Sequence, residues 1–233
     1  AIVGNIKEQQ STLRWLLATS LSALSTENAE LWRGMVKSGV NDKTFSTIQS
    51  SLPAGGQPTA PPEFAAADAN SKAVVDEVIR NRELKEVLRA LPGQMPLAEY
   101  DISSDFGLRR HPILGKVDAH PGIDMLSLGV DDRVRSVAPG HVKTAGYTPS
   151  YGNMVVLEHA GGVETLYGHM SVLNVKEGQD VTRQQVLGRV GSTGLSTGKH
   201  LHFEILVGGA PLDPEKVISA ARNIQKAEVG PSH

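Results

Sequence analysis

The stretch NMVVLEHAGGVETLYGHM, residues 153–170, decides the fold. Apolar and β-branched residues flank Ala160-Gly161-Gly162, so VVLEH and VETLYGH read as two strands of a hairpin turning on glycine. From about Leu97 onward the same character recurs in VRSVAPGHVKTAGY, VLNVKEGQDVTRQQVLGRVGS and HLHFEILVGG, short β-type runs separated by glycine turns. A second hairpin is expected in NVKEGQDVTRQQVLGRV, turning at Glu177-Gly178-Gln179. Roughly 120 residues of such strands suffice to close one compact core.

The first part of the chain has a different period. Leu13, Leu17, Leu21, Leu24, Leu31 and Met35 recur at helical spacings, predicting one helix over residues 4–38 with Gly39 and Asn41 as its stop. SSLPAGGQPTAPPE then packs four prolines and two glycines into fourteen residues, the composition of a linker. A second helix is expected over residues 65–91, with Val75, Ile79, Leu84, Leu88 and Leu91 on one side and Pro92-Gly93 as its end. The fold class expected is α+β: a helical region at 1–95, forming a hairpin or coiled coil with its linker around 51–64, a mostly antiparallel β-sheet domain at 96–218, and a tail at 219–233.

Composition narrows the chemistry. The formal net charge of -2 gives no electrostatic reason to expect a nucleic-acid partner. With no cysteine, disulfides, thiolate metal sites and a Cys nucleophile are excluded, and a metal would have to be held by His, Asp or Glu. The apolar run WLLATSLSAL, residues 15–24, is too short to span a bilayer. The chain starts at Ala1 without an initiator Met, and the expectation is that a preceding segment serves as signal or anchor.

Eight histidines are present, and two clusters among them stand out. In GSTGLSTGKHLHFE, residues 191–204, an extended strand would project His200 and His202 to one face and Leu201 and Phe203 to the other. In AHPGIDM, His120 precedes Asp124 by four residues across Pro121-Gly122, a bend that can bring an imidazole and a carboxylate onto one ion. Taken alone, HxxxD is also compatible with an Asp-capped turn and a solvated His, and HxH with an exposed strand face. Together with His202 they make a three-ligand site with an open position, the plan of a catalytic zinc rather than a structural one. Two neutral imidazoles and one carboxylate leave a dication able to acidify water and polarise a carbonyl, although other divalent transition ions suit the same donors.

These residues resemble the lysostaphin-like, or LytM-type, zinc metallopeptidases that cut the peptide part of peptidoglycan. The matching segments are SSDFGLRRHPILGK, HPGIDM, APGHVKTAG, YGNMVVLEH, YGHMS, VKEGQDV and GSTGLSTGKHLHFEI, in that order over about residues 103–206. The resemblance implies a β-sheet domain with a narrow groove, one zinc ion held by His120, Asp124 and His202, and His169 and His200 acting on the water and the developing oxyanion. It also suggests Asn153 and Arg110 as groove residues, against the plainer readings of a turn residue and a surface ion pair. None of His111, His141 and His159 is expected to be a zinc ligand.

The implied function is a zinc-dependent endopeptidase on peptide cross-links of bacterial peptidoglycan. The different-class alternative is a non-hydrolytic scaffold or activator of other cell-wall hydrolases; the intact ligand set favours the enzyme. Expected partners are peptidoglycan stems, a regulatory protein acting through the N-terminal helices, and a second copy of the chain. The expected place is the cell envelope, in the periplasm, with an inner-membrane anchor before Ala1. The helices are also candidates for restraining the site.

Overall fold

The computed structural model describes residues 2–53, 68–110 and 117–229, with side chains described for all of these except 2–7, 110 and 224–229. Residues 54–64 of the expected linker lie outside the described residues. The chain forms two compact units, one comprising Ala1–Gly34 and Pro53–Glu86, the other Met35–Leu52 and Val87–His233.

The first unit holds most of α1 (Ile2–Lys37) and α3 (Ala69–Ala90). The expected stripe on α1 is only partly covered: Leu13 is exposed, while Leu17, Leu21, Leu24 and Leu31 are half-buried. Polar contacts join the two helices. Asn28 is buried, donates to the Glu77 carbonyl at 2.9 Å and accepts from the Asn81 side chain at 2.8 Å, and Lys85 pairs with Glu27 at 2.8 Å. At the start of α3, Asp68 Oδ1 accepts from the Ser71 amide at 2.9 Å, a side-chain cap. No described helix is long and apolar enough to cross a membrane.

The stop of α1 divides into two signals. Gly39 takes a left-handed φ of 90°, and Val40 N–H returns to the Met35 carbonyl at 3.0 Å, which closes the helix. Asn41 is not part of that stop. Its side chain accepts from Thr44 N–H at 2.9 Å and starts a further helix, α2 (Asp42–Ser51), which belongs to the second unit.

The second unit is built on strands β1 (Tyr100–Ser104), β2 (Gly107–Arg110), β3 (Val117–His120), β4 (Ile123–Ser127), β5 (Arg133–Arg135), β6 (Gly140–Thr148) and β7 (Gly152–Glu158). After a single 3-10 turn at Ala160–Gly162 come β8 (Val163–Met170), β9 (Val172–Leu173), β10 (Asp180–Val181), β11 (Val186–Arg189), β12 (Leu201–Val207), β13 (Ala210–Leu212) and α4 (Pro214–Val229). The main sheet runs β1-β4-β12-β8-β7-β6-β10, with β13 also on β12; β5-β11-β9 and β2-β3 form two smaller sheets. All the ladders are antiparallel.

The β7–β8 hairpin is the one its sequence predicts, with Val155 opposite Tyr167 and Leu157 opposite Thr165. The expected second hairpin does not form. Asp180 and Val181 pair with His141 and Gly140 of β6, and Gly178 N–H donates to the Val142 carbonyl at 2.9 Å, so β6 occupies the turn's backbone groups. Val186–Arg189 leaves for the small sheet with β5 and β9. The end of the chain also differs: residues 219–229, expected as a tail, continue α4, which buries Val217, Ile218 and Ala221.

Strand β12 carries the core. Leu201, Phe203 and Ile205 point to one face and are fully buried there, with the Phe203 ring 5.3 Å from that of Tyr167. Each such side chain contributes about 1.5–3 kcal/mol of transfer free energy, so the face carrying His200, His202 and Glu204 is pinned in place by its apolar back.

Gly161, at φ 72°, sits where an added Cβ would press on Ile48 Cγ2 of α2 at 2.7 Å, whereas Gly178, at φ 83°, has open space around it. Replacing Gly178 with Ala should cost about 1–2 kcal/mol for the left-handed backbone alone. Gly161→Ala should cost roughly 1 kcal/mol more from overpacking. Urea unfolding midpoints measure both; equal losses would contradict the tight seat of α2 on this turn.

Candidate metal centre

Three ladders bring the site together. In β4 and β12, Asp124 and His202 are register partners, so their side chains share a face; on its other side His202 pairs with Gly168 of β8, one residue before His169. His120 is the last residue of β3 and pairs with Gly107 of β2. The Pro121-Gly122 turn carries the chain from His120 across β12 to Asp124, and it must be glycine at 122. A Cβ there would overlap the Phe203 carbonyl and stand 2.8 Å from Glu204 Cγ.

The result is a buried cluster in which His120, Asp124 and His202 are 5%, 8% and 5% exposed. Asp124 Oδ1 lies 3.2 Å from His120 Nε2 and 2.8 Å from His202 Nδ1, and the two nitrogens are 3.2 Å apart. Donors held tetrahedrally at about 2.0–2.1 Å from a zinc ion stand roughly 3.3 Å from one another, so the three atoms fit one ion.

Each imidazole's outer nitrogen fixes its tautomer. His120 Nδ1 faces the Asp105 carbonyl at 2.8 Å, an acceptor, so Nδ1 carries the proton and Nε2 turns its lone pair inward. His202 is oriented the other way round: Nε2 faces the Glu204 carboxylate at 2.9 Å, leaving Nδ1 to face Asp124. Burial disfavours ionised Asp124, yet hydrogen bonding with His120 and His202 outweighs it and holds the carboxyl well below the usual range, through protons that a bound metal would displace. Burial likewise opposes a charged His202, but its bonds to Asp124 and Glu204 prevail and raise its pKa.

His169 and His200 stand beside this cluster, their ring centroids 4.8 Å apart, and His169 is 5.9 Å from the His202 ring. His169 sits at a left-handed φ of 59°, a conformation that costs an L residue about 1–2 kcal/mol. The surroundings hold it there. Its amide donates to the Tyr151 carbonyl at 2.6 Å and its Nδ1 donates to the Thr193 carbonyl at 2.8 Å, so Nε2 is the free acceptor. Burial above all lowers its pKa, favouring the neutral ring. His200 commits Nδ1 to the Gly198 carbonyl at 2.8 Å and holds Nε2 3.7 Å from Asp124 Oδ1.

The glycine-rich stretch before the HxH divides into two parts. Gly194 and Gly152 stack backbone on backbone where neither admits a Cβ, and Thr193 Oγ1 donates to the Met170 carbonyl at 2.8 Å while accepting from Asn153 N–H at 2.9 Å. This part braces His169. The rest, with Leu195, Ser196, Thr197 and Gly198, lines an open cleft of about 750 Å³ that also exposes His169, His200 and the three candidate ligands.

Of the two residues expected in the groove, the structure describes the side chain of Asn153 alone. Asn153 turns its amide onto the Met170 carbonyl at 3.1 Å and does not line the cleft. Arg110 ends β2 and its side chain lies outside the described residues. Arg109 lines the cleft instead, with Nη1 3.2 Å from Asp124 Oδ2 and 2.8 Å from Ser104 Oγ. His141 is exposed beside Asp180 and His159 is buried on the Pro139 carbonyl and Thr165, both away from the cluster; His111 lies outside the described residues. Sequence reasoning missed Arg109, Tyr151 and Glu204. For Glu204 the signal was present, because HLHFE continues the two-residue period of His200 and His202.

Residues 118–214 match the family model described as peptidase family M23. The DD-carboxypeptidase/endopeptidase Mpg of Neisseria meningitidis serogroup B (strain ATCC BAA-335 / MC58) is 43% identical over 133 residues, 57% of this chain and 30% of that protein. Peptidoglycan DD-endopeptidase ShyA of Vibrio cholerae serotype O1 is 37% identical over 134 residues, 57% of this chain and 31% of that protein. Among solved structures, the catalytic domain of the antimicrobial peptidase lysostaphin from Staphylococcus simulans is 30% identical with a TM-score of 0.47, covering 52% of this chain and 92% of that one. The chain thus spans less than a third of the length of the two curated relatives.

Gly122→Ala should separate the His120 turn from β12. The expected result is a loss of about 3 kcal/mol or more in unfolding free energy, together with at least tenfold weaker zinc binding by the folded fraction. Wild-type values in denaturant unfolding and chelator competition would contradict the role given to this glycine.

Proposed function

We propose that this chain, which carries a peptidase family M23 domain at residues 118–214, is a metal-dependent endopeptidase that hydrolyses peptide cross-links of peptidoglycan in the bacterial cell envelope. The observation that carries the reading is the convergence of three buried donor atoms, lone pairs facing inward, on the floor of an open cleft lined by two further imidazoles. The relatives named DD-endopeptidases support a DD bond of the stem peptide as the target.

In this reading His120, Asp124 and His202 hold one zinc ion, which when bound supplies an acidified water and a Lewis acid for the scissile carbonyl. His169 accepts the proton of the attacking water at Nε2, since its Nδ1 is committed to Thr193 and burial keeps the ring neutral. His200 presents Nε2 to the same space, where it stabilises the tetrahedral oxyanion. The proton taken by His169 then passes to the leaving amine. Arg109 steadies the outer oxygen of Asp124.

Purified diaminopimelate-type sacculi should lose cross-linked muropeptide dimers in the presence of the chain, as read by mass spectrometry. A chelator should abolish the conversion, and Asp124→Ala, His169→Ala and His200→Ala should each lower its rate by at least about 10²-fold. Full conversion by all three variants would overturn the enzyme reading, and a metal-bound chain that converts nothing would favour the activator role.

We also propose that the N-terminal helices restrain the site. Its test must keep Met35–Leu52, which belong to the same compact unit as the β-strands. A variant without residues 1–34 and with 53–86 replaced by a Gly/Ser linker should digest sacculi faster; an unchanged rate removes the restraint.

A further inference from the structure

Glu204 is a carboxylate only 2% exposed, and among the described residues its ion-pair partner is an imidazole rather than a lysine or arginine. Oε1 receives both contacts, His202 Nε2 at 2.9 Å and the Tyr151 hydroxyl at 2.8 Å. The Tyr151 ring lies 5.5 Å from that of His202, and burial, then the hydrogen bond to Glu204, raises its pKa, so the phenol stays a donor. A buried anion whose partners among the described residues are a phenol and an imidazole is an expensive arrangement unless the imidazole carries or transmits positive charge. Beyond His202 Nδ1 is the Asp124 cluster.

Resting on the metal-centre reading, we infer that Glu204, held in place by Tyr151, is a positioning residue for His202. It accepts a hydrogen bond from His202 Nε2–H, which keeps the proton on Nε2 and the lone pair on Nδ1, and it fixes the ring's rotation about the bond to the ion. Its charge acts as well. A dication with Asp124 alone keeps a net charge of about +1 in a buried site, Arg109 beside Asp124 adds to it, and Glu204 offsets one unit of that excess while making His202 a more basic ligand. The two ligating imidazoles are therefore unequal: His120 leans on a neutral backbone carbonyl and His202 on a carboxylate. Glu204 touches neither substrate nor ion, so its effect is exerted through His202.

The test is zinc affinity of the full chain, measured by competition with a chromophoric chelator on protein checked for folding by circular dichroism. Relative to wild type, Tyr151→Phe should weaken binding a few-fold, Glu204→Gln about tenfold and Glu204→Ala up to about 100-fold. Glu204→Gln preserves shape and an acceptor oxygen, so a purely structural role leaves its affinity at the wild-type value and overturns the inference. Equal affinities throughout do the same. Should Glu204→Ala fail to fold, the Gln and Phe variants decide. A wild-type chain that binds no zinc overturns the metal-centre reading itself, a result distinct from unequal or equal variants.

Discussion

Everything at the site depends on the register of β12 between β4 and β8. With His202 opposite Asp124 on one side and Gly168 on the other, a single strand sets the spacing of candidate ligand, carboxylate and the adjacent His169. A slip of one residue would turn the whole row of polar side chains into the core and the apolar row into the cleft. That slip is blocked by the back of the strand, where Leu201, Phe203 and Ile205 are fully buried. Core packing and ligand placement are thus two faces of the same strand.

The polar face then has to be stabilised against its own burial. Asp124 and Glu204 are both shielded from water, and both are oriented by imidazoles, His120 and His202, whose far nitrogens are committed elsewhere. Chains of this kind fix tautomers: Asp105 determines which nitrogen of His120 faces inward, Glu204 does so for His202, and Thr193 for His169. Backbone carbonyls supply two of the three, so the loops bearing them are as constrained as the strands. The close approach of Gly152 to Gly194 and the position of Gly122 against Phe203 follow from that demand.

Much of this was legible in the residues. The β7–β8 hairpin, the shared face of His200 and His202, and the bend between His120 and Asp124 follow from strand periodicity and from what Pro-Gly permits. Where the reading departed from the structure, a local signal had two meanings. Gly178 marks a turn, but its amide serves β6, so the strands on either side go to different sheets. Gly39 ends one helix and Asn41 starts the next within two residues, and reading both as one stop hid α2. At the C-terminus, Asp213 Oδ1 accepts from Lys216 N–H and Pro214 opens α4, so the sequence carries a helix start signal where a tail was expected. Asn153 was placed in the groove by resemblance, whereas its amide is consumed by Met170; nothing in the sequence announces that long-range bond. Glu204 needed only the two-residue period carried one step further.

The proposed metal centre rests on three donor atoms that converge on one point. A crystal of the zinc-loaded chain, with anomalous data collected on both sides of the zinc edge, tests this directly. The predicted result is one strong anomalous peak between His120 Nε2, Asp124 Oδ1 and His202 Nδ1, about 2.0–2.2 Å from each. A peak coordinated through another set of residues, or an empty cluster in a zinc-saturated crystal, would contradict it.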